Sequence, residues 1–288
     1  MSKFFAKPFG IGIGYRHQLK KVLDEHAEGV GTLEILIDKH FQDGTIRQAD
    51  ILRNLSQRYP LLLHGVSASL WSTAGPSDRL MRSLDVVAKA FDMPYYSDHC
   101  ALTRSSEVEL GHLSPNHASE EMLDITLNNI RRMRDRLGVP IVVENITYHL
   151  NFPSSRWSAE DFFLKLVHAD PEVGILLDLT NLFINSQNHG YNPYAFIDRL
   201  PMDRIVQIHL AGGHKEKGKL VDSHAWPVHH EAFDLLAYLL PKSVPDAIII
   251  ERDNNFNCED VAADLARIHG ICSGYPQLRT YDTPSYTP

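Results

Sequence analysis

The sequence predicts a single (β/α)8 TIM barrel of the α/β class, and three observations carry that prediction. Short apolar runs rich in Ile, Val and Leu recur eight times along the 288 residues, and longer segments with helical spacing separate them. No low-complexity linker or shift in composition divides the chain. Alternating strand and helix patterns of this kind fold around a parallel sheet, and eight such units can close it into a barrel, which typically takes about 250 residues. The barrel is assigned to residues 1–273. The remainder, 274–288, is rich in Pro, Thr and Tyr and is expected to be a flexible tail.

The first strand is expected at Gly10–Gly14, where Gly-Ile-Gly-Ile-Gly lacks the GxGxxG spacing of a phosphate-binding loop and reads as a tightly packed strand. The second runs over Thr32–Ile37 and the third over Leu61–Gly65, with Tyr95–His99 and Ile141–Asn145 following. Between those two, Met122, Ile125, Leu127, Ile130 and Met133 recur with helical spacing over Glu120–Leu137, and Gly138-Val139-Pro140 supplies the stop. The last three strands are placed at Gly174–Leu179, Ile205–Leu210 and Ala247–Glu251.

Composition narrows the function classes. With 28 Lys and Arg against 36 Asp and Glu, the net charge is −8 and no basic block interrupts it, so nucleic acid is not the expected partner. The first residues carry no apolar run of signal-peptide length and no stretch of 18 apolar residues occurs, so a cytoplasmic protein without a membrane segment is expected. Cys100, Cys258 and Cys272 are odd in number and form no CxxC, which argues against a disulfide framework and against a thiolate zinc site. The abundant ligand type is His, with 16 copies.

The sharpest signal is positional. Leu-Leu-Leu-His64, Tyr-Ser-Asp-His99, Ile-Val-Val-Glu144-Asn145, Leu-Leu-Asp178, Val-Gln-Ile-His209 and Ile-Ile-Ile-Glu251 each end an apolar run on a metal-ligand side chain. In a parallel barrel these ends all face one mouth, where active sites are built. A lone His or Asp after a strand more often caps a helix or sits in a loop. Six strands ending this way predict buried carboxylates among imidazoles, and without a cation each unpaired charge costs several kcal/mol. A metal site follows. His, carboxylate and amide ligands without thiolate suit iron, manganese or catalytic zinc. The donors outnumber what one ion takes, so Glu144 is expected to bridge two ions, while Asn181, Asp222 and His224, close in sequence to Asp178 and His209, could serve a third. Asn145 and Asp98 are expected to support the ligands from behind. His189, before Gly190, is a candidate for substrate or cluster contact, although a His there commonly belongs to a turn. His229-His230 and Arg131-Arg132-Met-Arg134 are expected to be solvated, and no nucleophile motif of a serine or cysteine hydrolase is present.

The segments Gly12-Ile-Gly-Tyr-Arg16, His64-Gly-Val-Ser-Ala-Ser69, Ser97-Asp-His99, Val143-Glu144-Asn145, Leu177-Asp178-Leu-Thr-Asn181, Asn188-His189-Gly190 and Gln207-Ile-His209-Leu-Ala-Gly-Gly resemble the multinuclear non-heme iron-dependent oxidative enzymes of the MbnB/TglH type. That resemblance runs from about Gly10 to Glu251. It implies a xylose-isomerase-like barrel holding two or three iron ions, Fe(II) and Fe(III) mixed, with dioxygen as co-substrate. It groups His64, His99, Glu144 and Asn181 around one iron, Glu144, Asp178, His209 and Glu251 around a second, and Asp222 and His224 at the third. It also implies oxidative modification of a ribosomally synthesised precursor peptide, usually at Cys, with a small partner protein that captures the leader. Eight βα units leave no appended domain for leader recognition, which agrees with a heterocomplex. Two departures bear on substrate: the second strand reads Leu33-Glu-Ile-Leu-Ile-Asp38-Lys-His40, and the eighth ends Glu251-Arg252-Asp253 rather than Glu-Trp-Asp.

Competing readings share the ligand order. A zinc phosphodiesterase similar to endonuclease IV would need a basic surface that the charge of −8 does not supply. A metal-dependent sugar isomerase would use manganese or magnesium on the same ligands. A non-enzymatic metal scaffold is favoured only by a cluster with no open position.

Overall fold

The architecture comes from a computed structural model, which describes residues 4–5, 8–42, 45–106 and 108–278. Eight parallel strands close into a barrel: β1 (Gly10–Gly14), β2 (Thr32–Leu36), β3 (Leu61–Gly65), β4 (Tyr96–His99), β5 (Ile141–Glu144), β6 (Gly174–Asp178), β7 (Ile205–Leu210) and β8 (Ala247–Ile250). Each pairs with its neighbours in sequence, and β1 pairs with β8 to shut the ring. A principal helix follows every strand: α1 (Lys20–Glu25), α2 (Ala49–Ser56), α3 (Asp78–Ala90), α4 (Glu120–Leu137), α5 (Ala159–Ala169), α6 (Leu179–His189), α7 (His230–Leu239) and α8 (Cys258–Ile271). No helix among the described residues is long and apolar enough to cross a membrane. The fold is the expected TIM barrel. Its strand ends differ from the expectation by about a residue, as at Leu36, where Ile37–His40 turns into a short helix.

Period-two alternation explains how the mouth is built. Leu62, Val142, Leu176 and Ile249 point into the barrel with Tyr95, Val206 and Ala247 and form a dry interior plug. Two residues further on stand His64, Glu144 and Asp178 on the same strands and Glu251 just past the end of β8, one layer nearer the mouth. Each buried Val, Leu or Ile contributes ~1.5–3 kcal/mol, so the plug stabilises the frame on which a costly polar ring can sit. A larger apolar layer, including Ile11, Ile13, Leu33, Phe162, Ile208 and Leu265, fills the space between strands and helices.

Local sequence sets the joints. Gly12 is required because a Cβ there would lie 2.0 Å from the Thr32 carbonyl oxygen of β2. Ser119 caps α4 by accepting from the Met122 amide at 3.2 Å, and Gly138, at φ +69°, ends it in the left-handed conformation that favours glycine.

Three expectations change. The chain stays packed past residue 274: Cys272–Gly274 and Pro276–Leu278 form short helical turns and Leu278 is fully buried, because an apolar side chain remains available to the core; 279–288 lie outside the described residues. His229 is not solvated, since its Nε2 accepts from the Gly213 amide at 3.0 Å, whereas His230 is exposed. Arg131 and Arg134 are only partly free, both reaching the carboxylate of Asp170, at 3.1 and 3.6 Å.

Candidate metal centre

Strand register brings the ligand residues together. His99 on β4 lies beside Glu144 on β5, and Asp178 on β6 beside His209 on β7. Two groups of donors result, each with its atoms within 4.8 Å of one another: His64, His99 and Glu144, and Glu144, Asp178, His209 and Glu251. Glu144 belongs to both. All six residues are buried.

The spacing is that of ligands rather than of ion pairs alone. Glu144 Oε2 lies 3.3 Å from His64 Nε2 and 3.1 Å from His99 Nε2, yet it has no hydrogen-bond partner. His209 Nδ1 lies 3.1 Å from both Glu144 Oε1 and Glu251 Oε2. Neighbouring donors on one ion with bonds of about 2.1 Å stand roughly 3–3.5 Å apart. Asp178 Oδ2, Asn181 Oδ1 and Asp222 Oδ1 are likewise buried with no hydrogen-bond partner. Left without a cation, each such oxygen costs about 1–3 kcal/mol or more. The donor set therefore fits metal ions.

The electrostatics agree. Burial, then the negative charges of Glu144 and Asp222, hold the Asp178 carboxyl well above the usual carboxylate range. Burial opposes charge on His209, but Glu251, Glu34 and Glu144 outweigh it and raise that imidazole well above its ordinary value. Burial would also raise Glu251, but His209 and His224 pull it well below. His64 is lowered, first by burial and then by the neighbouring imidazoles His99 and His209, against the pull of Glu34 and Glu144. Positive charge on His209 keeps Glu251 ionised among crowded carboxylates, the role a bound cation would take over.

Each imidazole is aimed by a partner on its far side. His64 Nδ1 meets Ser97 Oγ at 3.0 Å, and His99 Nδ1–H donates to the Gly65 carbonyl at 3.1 Å, so both turn Nε2 toward Glu144. His209 Nε2 lies 2.8 Å from Glu34 Oε2, which also accepts from Gln207 Nε2 at 2.5 Å, while Gln207 Oε1 accepts from Tyr95. Such partners fix tautomer and ring orientation. Asn145 forms a two-point clamp on β6: its Nδ2 donates to the Asp178 carbonyl and its Oδ1 accepts from the Asp178 amide, both at 2.9 Å. Asp98 is fully buried and accepts from Tyr96, Ala68 and the His99 amide; burial pushes its carboxyl up to about 7, against the pull of His99.

The remaining residues are placed as follows. Asn181 donates from Nδ2 to the Asn145 carbonyl at 3.0 Å, which leaves Oδ1 free beside the site. Asp222 Oδ2 and His224 Nε2 stand 2.9 Å apart, and His224 Nδ1 is 3.8 Å from Glu251 Oε2, so this pair adjoins the second group. His189 is not brought into either group: its ring stacks on Tyr148 at 4.1 Å, its Nε2–H donates to the Tyr148 carbonyl, and it lines a separate cavity of about 610 Å³. Sequence reasoning missed Glu34, Gln207 and Ser97. The available signal for Glu34 was a carboxylate in the middle of an otherwise apolar strand.

Chelation offers a direct check on the fit. Protein stripped with a chelator should melt several degrees lower than protein with metal and recover when metal returns, because ligand binding at 1,000 times Kd adds about 4 kcal/mol. Equal melting temperatures in both states would refute metal binding by this cluster.

A sequence model of the family described as RiPP precursor modification enzyme MbnB/TglH/ChrH matches residues 10–273. A UPF0276 protein of Rhizorhabdus wittichii is 31% identical over 278 residues, covering 93% of this chain and 98% of that protein. One of Streptomyces avermitilis is 32% identical over 254 residues, 86% of this chain, and the chain spans 51% of that longer protein. Among solved structures the barrel is similar to the IOLI protein with a zinc atom, at a TM-score of 0.59 and 13% identity over 92% of this chain and 99% of that one. It is also similar to a xylose isomerase-like TIM barrel protein from Mycobacterium smegmatis in complex with magnesium, at 0.58 and 10% identity over 96% and 100%. These two likenesses are of fold, a xylose-isomerase-like barrel. With the match spanning the whole barrel, the chain belongs to the RiPP precursor modification enzyme MbnB/TglH/ChrH family.

Proposed function

We propose that this chain oxidatively modifies a ribosomally made precursor peptide at Cys, using two or three iron ions and dioxygen, with a partner protein holding the leader. The observation that carries the reading is Glu144, shared by two donor groups in a ring that contains no thiolate. His64, His99, Glu144 and Asn181 would hold one ion, Glu144, Asp178, His209 and Glu251 a second, and Asp222 with His224 a third. Iron so held supplies redox chemistry toward dioxygen and affinity for a substrate thiolate.

The chain's own groups do the rest. The plug of Leu62, Val142, Leu176 and Ile249 keeps water from reaching the cluster through the barrel. Ser97, the Gly65 carbonyl and Glu34 lock the imidazoles, so ligand positions are fixed before substrate arrives. Cys100, next to His99, does not compete with a substrate thiolate: burial pushes its thiol up to about 12, which keeps it protonated at neutral pH.

The test is reconstitution of metal-free protein with ferrous iron or with zinc, followed by mass spectrometry of a co-expressed precursor and its neighbouring partner. Iron should bind at two or three per chain and give a discrete mass change that disappears when every precursor Cys is replaced. Zinc-only activity would instead support hydrolysis, and a mass change that survives loss of every Cys would overturn the thiolate anchor.

A further inference from the structure

Beyond the ligand ring, a chain of contacts joins β1 to the loop after β7. Arg16, just past β1 and only 7% exposed, donates from Nε to Asp253 Oδ1 at 2.6 Å, and its Nη1 is tied to the Tyr15 carbonyl at 2.9 Å. Lys39 Nζ reaches the same Asp253 oxygen at 3.2 Å. Both cations thus occupy Oδ1, which leaves Oδ2 to face His224 Nδ1 at 3.3 Å. The opposite ring nitrogen, His224 Nε2, faces Asp222 Oδ2 at 2.9 Å, and Asp222 Oδ1 is a buried oxygen without a hydrogen-bond partner. The backbone is braced too. His224 has φ +48°, a left-handed conformation costly for a side chain of its size, and its carbonyl accepts from the Asp253 amide at 2.9 Å.

We propose that Asp253, held by Arg16 and Lys39, is the positioning residue that makes His224 and Asp222 a separate, third metal position. The inference rests on the iron-cluster reading above and adds which residues decide whether the third ion is retained. The physical logic is that of the Glu34–His209 pair: a carboxylate accepting from one ring nitrogen holds the ring proton there and leaves the other nitrogen free to ligate. The difference is exposure. The Glu34–His209 pair is sealed, with side chains 3% and 0% exposed, whereas Asp253 and His224 are 29% and 17% exposed at the mouth. The third ion is therefore the exchangeable one, and its affinity depends on a brace supplied by three other segments of the barrel.

Two substitutions separate orientation from bulk. Asp253→Asn preserves shape, and its oxygen can still accept from Arg16. Its amide nitrogen then points a donor at His224 Nδ1, which drives the ring proton onto Nε2 and blocks the ligating position. Arg16→Met removes the anchor, whereas Arg16→Lys keeps a cation there. Iron per chain would be measured after anaerobic reconstitution and gel filtration, with Asp222→Ala as reference and melting of the metal-free proteins as a check on folding. Wild type and Arg16→Lys should hold three ions. Asp253→Asn and Arg16→Met should hold two, with the third bound about 10–100-fold more weakly. If Arg16→Met fails to fold, Asp253→Asn carries the test alone. Three tightly held ions in Asp253→Asn, or only two in wild type, would overturn this inference and leave the two-ion reading standing. No iron in wild type would instead overturn the proposed function.

Discussion

Glu144→Ala should lose iron from both adjoining positions and reduce turnover to background. Its two oxygens serve different groups: Oε2 faces His64 and His99, and Oε1 faces His209, which also meets Glu251. Removing it takes one donor from each of two ions, so the loss should exceed the roughly 10–100-fold typical of supporting partners. Glu144→Gln, nearly isosteric, should fail similarly, because an amide offers one oxygen where the site uses two. Asn145→Ala should do less, since Asn145 acts on the β6 backbone and touches the ligands only through Asp178. Metal content and single-turnover mass spectrometry on matched preparations provide the comparison. Full iron and activity in the Glu144→Gln protein would refute the bridging role.

The sequence made the mouth legible because the barrel reads each strand end in the same direction. An apolar run closing on His64, Glu144, Asp178 or Glu251 needs no tertiary information to be recognised, and strand register then sets His99 beside Glu144. Asp178 shows why the capping and ligand readings of such residues are not exclusive: Oδ1 caps α6 by accepting from the Asn181 amide at 2.7 Å, while Oδ2 remains unpaired. The supporting residues were illegible for the opposite reason. Glu34 meets Gln207 and His209 across the barrel, at sequence separations of 173 and 175, and Arg16 meets Asp253 at a separation of 237. No local pattern encodes those pairings. His229 illustrates the same limit, since a backbone amide sixteen residues away decides that it is half-buried rather than solvated.

Glu34→Gln is the sharper test of how the cluster is aimed, because it changes one atom type in a sealed position. Glu34 Oε2 accepts from Gln207 Nε2 and faces His209 Nε2, and burial leaves no water to substitute. Gln207 Nε2 also lies 2.6 Å from His209 Nε2, so it is the carboxylate that holds the ring proton on that nitrogen against a neighbouring donor, and Nδ1 then presents its lone pair where Glu144 and Glu251 converge. An amide nitrogen at that position would donate to Nε2, move the ring proton to Nδ1 and aim a hydrogen at the metal position. Iron at the His209 side should weaken by about 10–100-fold, while the His64 and His99 side, aimed by Ser97 and Gly65, keeps its ion. Glu34→Ala should destabilise the protein further, by about 1–3 kcal/mol, because Gln207 Nε2 loses its carboxylate acceptor and keeps only the ring nitrogen His209 Nε2, 2.6 Å away. Iron titration resolved by Mössbauer spectroscopy distinguishes the two sites. Equal affinity at both sites in Glu34→Gln would show that the tautomer of His209 is set by some other contact, leaving Glu34 as no more than a partner for Gln207.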